Sequence, residues 1–256
     1  MESTSTSYEA LLHGPAPDPI SSEQWRVYST AVAELRRSSI PFAIGGGIAI
    51  GAYTGRWRNT KDLDIYVTPD YRQTAITAIS RAGLKDYYDV LAYDRAWIYR
   101  SHTGDVIVDV IWAMANHKRQ VDQDWIQRGP HYDIRGESVR LLPPEELLWA
   151  KLYVLQRERC DWGDALNLVY SLGPELDWRW LKLRLDDDEP LLEALLRVFA
   201  WLCPEKAARL PAWLFKCPPR SEFELPQENV TEIRATLLDT RPWFGAPAPN
   251  GNNSNP

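Results

Sequence analysis

The sequence predicts an α+β protein in which a mixed sheet with flanking helices is followed by an all-helical C-terminal region. Short apolar runs and period-two alternation, which are typical of strands, occur in the part that ends near residue 142. From Pro143 onward, apolar residues recur at helical spacing. Ser-, Pro- and Ala-rich residues at the start and a low-complexity run at the end flank this folded part.

In the first half, Ser21 and Gln24 have capping-box spacing, which predicts a helix to about Arg37. A short apolar run, 41–44, predicts a buried strand that enters a turn of three glycines. Further elements are predicted as follows: a helix over 48–53, a strand over 62–67, a helix over 69–83, strands over 96–100 and 106–112, and a hairpin of 132–135 with 138–142 that turns at Gly136.

In the second half, two prolines and two glutamates at 143–146 predict a helix start, because proline tolerates the first turn and acids suit the positive end of the helix dipole. More helices are predicted near 164–172, 176–184, 188–203 and 228–239. We therefore expect four segments: a flexible leader (1–20), an α/β domain (21–142), a helical domain (143–243) and a disordered tail (244–256).

Composition excludes several protein classes. The longest apolar runs are too short to cross a membrane, and the N-terminus lacks the basic and apolar regions of a secretory signal. Three widely spaced cysteines make neither a disulfide framework nor a zinc site, which favours the cytoplasm. The net charge of −6 does not favour a large nucleic-acid surface. Twelve tryptophans are expected to serve packing rather than base stacking.

The most informative residues are three acids on predicted strands. Asp62 and Asp64 project from one strand face, roughly 7 Å apart, and such a pair repels unless a cation or donors satisfy it. Alternatively, the two acids lie on an exposed strand face and have no functional role. Asp109 interrupts the apolar run 106–112, where an acid needs a partner. That partner is either a bound ligand or a set of backbone hydrogen-bond donors. Three carboxylates on neighbouring strands suit a pair of Mg²⁺ ions. Asp105, on the preceding turn, is the rival third acid.

A wider pattern surrounds these acids. Gly46-Gly47-x-Ala49 precedes Arg58-x-Thr60-x-Asp62-x-Asp64, and a lone strand aspartate follows. Glycines after a strand permit close approach to a phosphate, although packing is their common use. The pattern resembles that of the nucleotidyltransferase superfamily, whose fold is the palm of DNA polymerase β. The R-x-T-x-D-x-D version is similar to AbiEii and MenT-like toxins and to stand-alone bacterial nucleotidyltransferases.

The resemblance implies a set of roles. Asp62 and Asp64 would ligate two Mg²⁺ ions, and Asp109 would complete one metal site and help to deprotonate the incoming hydroxyl. The nucleoside triphosphate (NTP) would contact Gly46, Gly47, Arg58 and Thr60.

The helical half carries a second match, from Lys151 to Asp164, which resembles the later signature of the same superfamily. Lys151 would bind a triphosphate oxygen and act in catalysis, and Asp164 would contact the nucleotide. The plain alternatives are an amphipathic lysine at a helix boundary, and Asp161 as the N-cap of a new helix with Asp164 at its third position.

The resemblance implies Mg²⁺-dependent transfer of a nucleoside monophosphate from an NTP to a hydroxyl, with release of pyrophosphate. The acceptor stays open between the 3′ end of tRNA, a small molecule such as an aminoglycoside, and a protein side chain. A local basic rim would suit RNA, and it would consist of Arg56, Arg58, Lys61, Lys118, Arg119 and Arg128. The acidic run 186–189 would suit a cationic aminoglycoside.

Two other interpretations remain. The protein is a catalytically silent nucleotide-binding regulator, or an antitoxin-like partner of the same fold; a toxin-like enzyme would itself have an antitoxin partner. The least favoured alternative is a purely structural helical protein with a strand cap.

Overall fold

A computed structural model describes residues 8–14, 20–156 and 159–215. Its strands are β1 (Ala43–Ile44), β2 (Asp62–Tyr66), β3 (Lys85–Asp86), β4 (Ile98–Thr103), β5 (Val106–Ile111), β6 (His131–Ile134) and β7 (Glu137–Arg140). Its α-helices are α1 (Ser22–Arg37), α2 (Gly46–Thr54), α3 (Arg72–Arg81), α4 (Gln123–Gln127), α5 (Pro144–Leu152), α6 (Trp162–Leu172), α7 (Trp178–Leu185), α8 (Glu189–Leu202) and α9 (Pro204–Ala207). The predicted α+β class is confirmed.

Five strands form one mixed sheet in the order β1-β2-β5-β4-β3. The central pair, β2 and β5, is parallel, and its register places Asp64 opposite Asp109. The other neighbours are antiparallel, and the β4–β5 register places Arg100 opposite the same Asp109. Because paired residues point to the same side of a sheet, these three side chains share one face.

The chain after β5 forms a separate hairpin and then the helices. Strands β6 and β7 pair around Arg135 and Gly136, whose φ angles of 52° and 84° are those of a two-residue turn, as predicted for Gly136. Helix α2 packs against both α5 and α6, so the sheet half and the helical half share one continuous core. This packing brings the start of the helical half close to β2.

Several predicted elements differ from the observed ones. The expected helix over 69–83 is a 3₁₀ turn at Pro69–Tyr71 followed by α3, which ends at Arg81. The strand expected at 96–100 begins at Ile98 and continues to Thr103, where it pairs with β5. Strand β3 and helices α4 and α9 were not predicted. The helix predicted over 228–239, the tail 244–256 and most of the leader lie outside the described residues.

Helix α2 begins two residues earlier than predicted, at Gly46 rather than Ile48. Gly45 is its N-cap, and Gly46 has a positive φ of 54°. The helix therefore starts directly at the glycine run, beside β2.

No helix in the described ranges has both the length and the apolar character that crossing a bilayer would need.

Candidate active site

Three carboxylates converge on the shared face of β2 and β5. Asp62, Asp64 and Asp109 each offer an oxygen, and these oxygens all lie within 4.8 Å of one another. The side chain of Asp62 is 37% exposed, whereas that of Asp109 is 1% exposed. The cluster is therefore anchored in the core at Asp109 and open toward solvent at Asp62. We call these residues the acid triad.

The triad is electrostatically unfavourable on its own. Burial, together with the neighbouring charges of Asp62 and Asp109, raises the pKa of Asp64 to about 7. Burial also raises the pKa of Asp109, against the opposing effect of Arg100. Crowded, desolvated carboxylates of this kind are stabilised by a bound cation. Three carboxylate oxygens in this arrangement are hard ligands of the kind that a divalent cation takes.

Arg100 is the cation that contacts the triad directly. Its Nε donates to Asp109 Oδ1 at 2.9 Å and its Nη2 to Asp109 Oδ2 at 2.5 Å. The same Nη2 lies 3.8 Å from Asp62 Oδ2. The sequence-based reasoning did not name this arginine. Its neighbours on β4, Tyr99 and Ser101, are buried and point to the other face of the sheet, so Arg100 points to the triad's face. Only the register of β4 against β5 shows that its partner is Asp109.

The glycines are required by close packing against the triad strand. The backbone N–H of Gly45 donates to Asp64 O at 3.0 Å, which ties the start of α2 to β2. A Cβ added at Gly46 would lie 1.6 Å from Asp64 Oδ2, and one at Gly47 would lie 3.0 Å from Thr60 Oγ1. Gly46 thus borders the carboxylate of Asp64, whose side chain occupies the space that a Cβ at Gly46 would need, and Gly47 borders Thr60.

Thr60 connects the triad to helix α1. Its hydroxyl donates to Asp62 O at 2.9 Å and lies 3.3 Å from Asp62 Oδ1. Its carbonyl accepts from Gln24 Nε2 at 3.0 Å. Gln24 belongs to the observed capping box with Ser21, as the sequence predicts for this helix start. Its link to Thr60 was not predicted, because the two residues are distant in the chain.

A second charged group surrounds Lys151 at the end of α5. The ammonium lies 2.7 Å from Asp161 Oδ2 and 3.1 Å from Asp164 Oδ2. Arg58 reaches Asp164 at 3.0 Å, and Arg159 binds both oxygens of Asp161 at 2.9 Å. Lys151 and Arg159 also act to lower the pKa of Asp64, so this group faces the triad. We call it the lysine cluster.

The carboxylates of Asp161 and Asp164 bind basic side chains. Asp161 does occupy the N-cap position of α6, but in the described structure its carboxylate caps no backbone N–H of that helix and binds Lys151 and Arg159 instead. Asp164 lies in the first turn and binds Arg58 and Lys151. Asp105, the rival third acid, is not part of the triad.

A family model matches more than half of the chain. The model described as "uncharacterised nucleotidyltransferase" matches residues 28–205, which include the triad, the glycines and the lysine cluster. The chain belongs to this nucleotidyltransferase family. No curated protein matches the sequence.

Several solved structures are similar to this one. The antibiotic-resistance factor ANT(2'')-Ia is 20% identical, with 68% of this chain and 97% of that chain covered and a TM-score of 0.48. The lincosamide antibiotic adenylyltransferase LnuA is 16% identical, with coverages of 58% and 96% and a TM-score of 0.42. JHP933 from Helicobacter pylori is 15% identical, with coverages of 86% and 98% and a TM-score of 0.39.

The basic rim and the acidic run 186–189, which were predicted as acceptor surfaces, form ion pairs with each other. Lys118 binds Asp188, and Arg119 lies 3.8 Å from Asp186. Further pairs join Arg58 to Asp164, Arg128 to Glu146 and Asp177, and Lys182 to Glu189. The predicted basic rim and the predicted acidic run therefore neutralise each other in part, and neither is a free surface of one charge.

Proposed function

We propose that this nucleotidyltransferase moves a nucleoside monophosphate from an NTP to a hydroxyl acceptor in an Mg²⁺-dependent reaction that releases pyrophosphate. The observation that carries the proposal is the acid triad, three carboxylates with oxygens within 4.8 Å of one another. Hard oxygen donors around a small space are the ligands that Mg²⁺ takes in enzymes of phosphoryl transfer.

The residues present fit a pair of metal ions. Asp62 and Asp64 would contact both ions and Asp109 one of them. When bound, such ions stabilise charge on the attacking and leaving oxygens of an in-line displacement. The absence of a side chain at Gly46 leaves Asp64 its place in the triad.

The lysine cluster supports a binding site for the triphosphate. Lys151 is 8% exposed and is held between two carboxylates, so its ammonium is fixed in position. Arg58, 62% exposed in its side chain, adds a second cation at the open side. We propose that Lys151 and Arg58 bind triphosphate oxygens, with Asp164 orienting both cations and the backbone at Gly46 and Gly47 approaching the phosphates.

The remaining polar contacts favour positioning roles. Thr60 holds Asp62 through its hydroxyl. Both oxygens of Asp109 already accept from Arg100, so neither is free of a partner to take the proton of an acceptor hydroxyl. We therefore favour Asp109 as a metal ligand and leave removal of the acceptor proton to another group.

The acceptor is proposed as one of three classes: the 3′ end of tRNA, an aminoglycoside-like small molecule, or a protein side chain. Lys118 and Arg119 of the basic rim pair with the acidic run, so neither surface singles out one acceptor class and one experiment must compare the classes directly.

The test incubates the protein with Mg²⁺ and each α-labelled NTP in the presence of total tRNA, aminoglycosides or the protein alone. We expect label transfer to one class, and complete loss of transfer in Asp64→Ala. Asp105→Ala is the matched control, because it removes a nearby acid that lies outside the triad, and it should retain transfer. Equal transfer by wild type and Asp64→Ala would contradict the proposed site. Mg²⁺-dependent NTP binding without transfer to any acceptor would favour the silent regulator.

A further inference from the structure

We propose that a cavity between the start of α3 and the start of β4 binds a small organic anion, a single carboxylate on a compact apolar body. The cavity has a volume of about 280 Å³. In the described part of the chain, no residue of the acid triad or of the lysine cluster lines it. The inference therefore concerns a second site and does not depend on the proposed function.

Arg72, on the rim of the cavity, is a cation without an acidic partner among the described residues. Its Cζ lies 5.6 Å from the centroid of the Trp112 ring, a cation–π contact that holds the guanidinium at the cavity. Stacking over a ring does not use the N–H donors that lie in the plane of the guanidinium. These donors are available to an anion.

Arg95, the second arginine of the rim, is fixed in position. Its Nη2 donates to Asp86 Oδ2 at 2.6 Å, and its Cζ lies 4.1 Å from the centroid of the Tyr88 ring. Asp86 Oδ1 accepts in turn from the hydroxyl of Tyr93 at 2.9 Å. Because the side chain is already ordered, a ligand that binds its remaining N–H donors does not have to order it.

The floor of the cavity is apolar. Ile98, Tyr99 and Trp112 are 3%, 8% and 4% exposed, and Ile76 lies beside them. The indole N–H of Trp112 already donates to Ala96 O at 2.8 Å, so this ring presents apolar surface to the cavity. An apolar floor below two guanidinium groups suits a ligand with an apolar body and one anionic end.

Charge and size narrow the class of ligand. The lining carries two arginines and one aspartate, an excess of one positive charge that a monoanion balances. The volume is close to the lower end of the range for ligand pockets, about 300–1,000 Å³. At about 30 Å³ for each water-sized volume, the cavity holds roughly nine non-hydrogen atoms. Benzoate is a carboxylate of about this size, whereas an NTP is too large and too highly charged.

The first experiment titrates benzoate into the full-length wild-type protein by calorimetry, without metal or nucleotide. Benzyl alcohol has the same body without the charge, acetate has the charge without the body, and inorganic phosphate has more charge without the body. We expect benzoate to bind at least about tenfold more tightly than each of the three. A Kd for benzoate above about 10 mM, or equal affinity for benzyl alcohol or phosphate, would overturn the proposal.

The second experiment locates the bound benzoate. Arg72 is exposed, so Arg72→Gln should fold, and it should bind benzoate at least about tenfold more weakly. Arg26→Gln is the matched control, because it removes an exposed arginine of α1 outside the cavity, and it should bind as the wild type does. Ile76→Glu places a carboxylate one helical turn after Arg72 and should abolish binding. Wild-type affinity in either cavity variant would overturn the proposal.

Discussion

Replacing Gly46 by alanine is the sharpest test of how the triad is built. The added Cβ would lie 1.6 Å from Asp64 Oδ2, far inside any van der Waals contact. Gly46 also has a φ of 54°, in the left-handed region that side chains disfavour. The substitution therefore combines a backbone cost with a forced displacement of one triad carboxylate.

These two effects can be separated by a second glycine. Gly104, in the β4–β5 turn, has a φ of 55°, and a Cβ added there would meet nothing within 4 Å. The left-handed conformation costs about 1–2 kcal/mol for a residue with a side chain. We expect Gly104→Ala to lose that amount of unfolding free energy and keep its activity. Gly46→Ala should lose at least as much, because the start of α2 or Asp64 must also move.

The activity of the two variants should differ strongly. Relief of the overlap requires Asp64, or the start of α2 that borders it, to move by more than an ångström, and a misplacement of about 1 Å at the site costs on the order of 100-fold in rate. Urea unfolding gives the stability of each variant, and label transfer from an α-labelled NTP gives the activity. If Gly46→Ala retained activity within about threefold of Gly104→Ala, Asp64 would not be the positioned ligand that the triad requires.

Three further predictions concern residues around the site and in the core. Burial raises the pKa of Glu146 from 4.5 to about 7, so ionisation of this carboxyl destabilises the folded protein as pH rises between these values. Glu146→Gln should therefore remove up to about 3 kcal/mol of the pH dependence of the unfolding free energy, measured by urea unfolding from pH 4.5 to 8. Gln24→Ala should cost about 1 kcal/mol of stability and slow label transfer several-fold, because Thr60 loses its support. Lys151→Met should raise the KM for NTP about tenfold or more.

Each of these predictions has a control or a contradicting result. Ser21→Ala removes the other half of the capping box but not the contact with Thr60, so it should cost stability without slowing the reaction. A difference in unfolding free energy between wild type and Glu146→Gln that did not change with pH would contradict a raised pKa of Glu146. An unchanged KM in a folded Lys151→Met protein would exclude a triphosphate contact at this position.

The features that follow from local pattern were predictable from the sequence. Alternation along β2 placed Asp62 and Asp64 on a strand, the apolar run of β5 did the same for Asp109, and the capping box located the start of α1. Strand β3 has only two residues and pairs at the sheet edge, and helix α4 has five, so neither leaves a usable periodicity.

Contacts between distant segments were not predictable. Arg100 acquires its role from the β4–β5 register, and Gln24 from the approach of α1 to the loop before β2. The acidic run at 186–189 could be interpreted as a solvated loop or as an acceptor site, but its pairing with Lys118 and Arg119 depends on how the helical half packs. Charge patterns in a sequence do not show which opposite charges will meet.

The parallel pairing of β2 with β5 has a consequence for how the molecule assembles. Asp64 and Asp109 become neighbours only after the intervening chain, which includes α3, β3 and β4, has folded so that β5 returns beside β2. Such non-local pairing is slow to form, and a short fragment around either strand would lack the complete ligand set. A divalent ion that binds the finished triad but not the unfolded chain would shift the folding equilibrium toward the native state by mass action, so the concentration of metal in the refolding buffer should govern the yield of native protein.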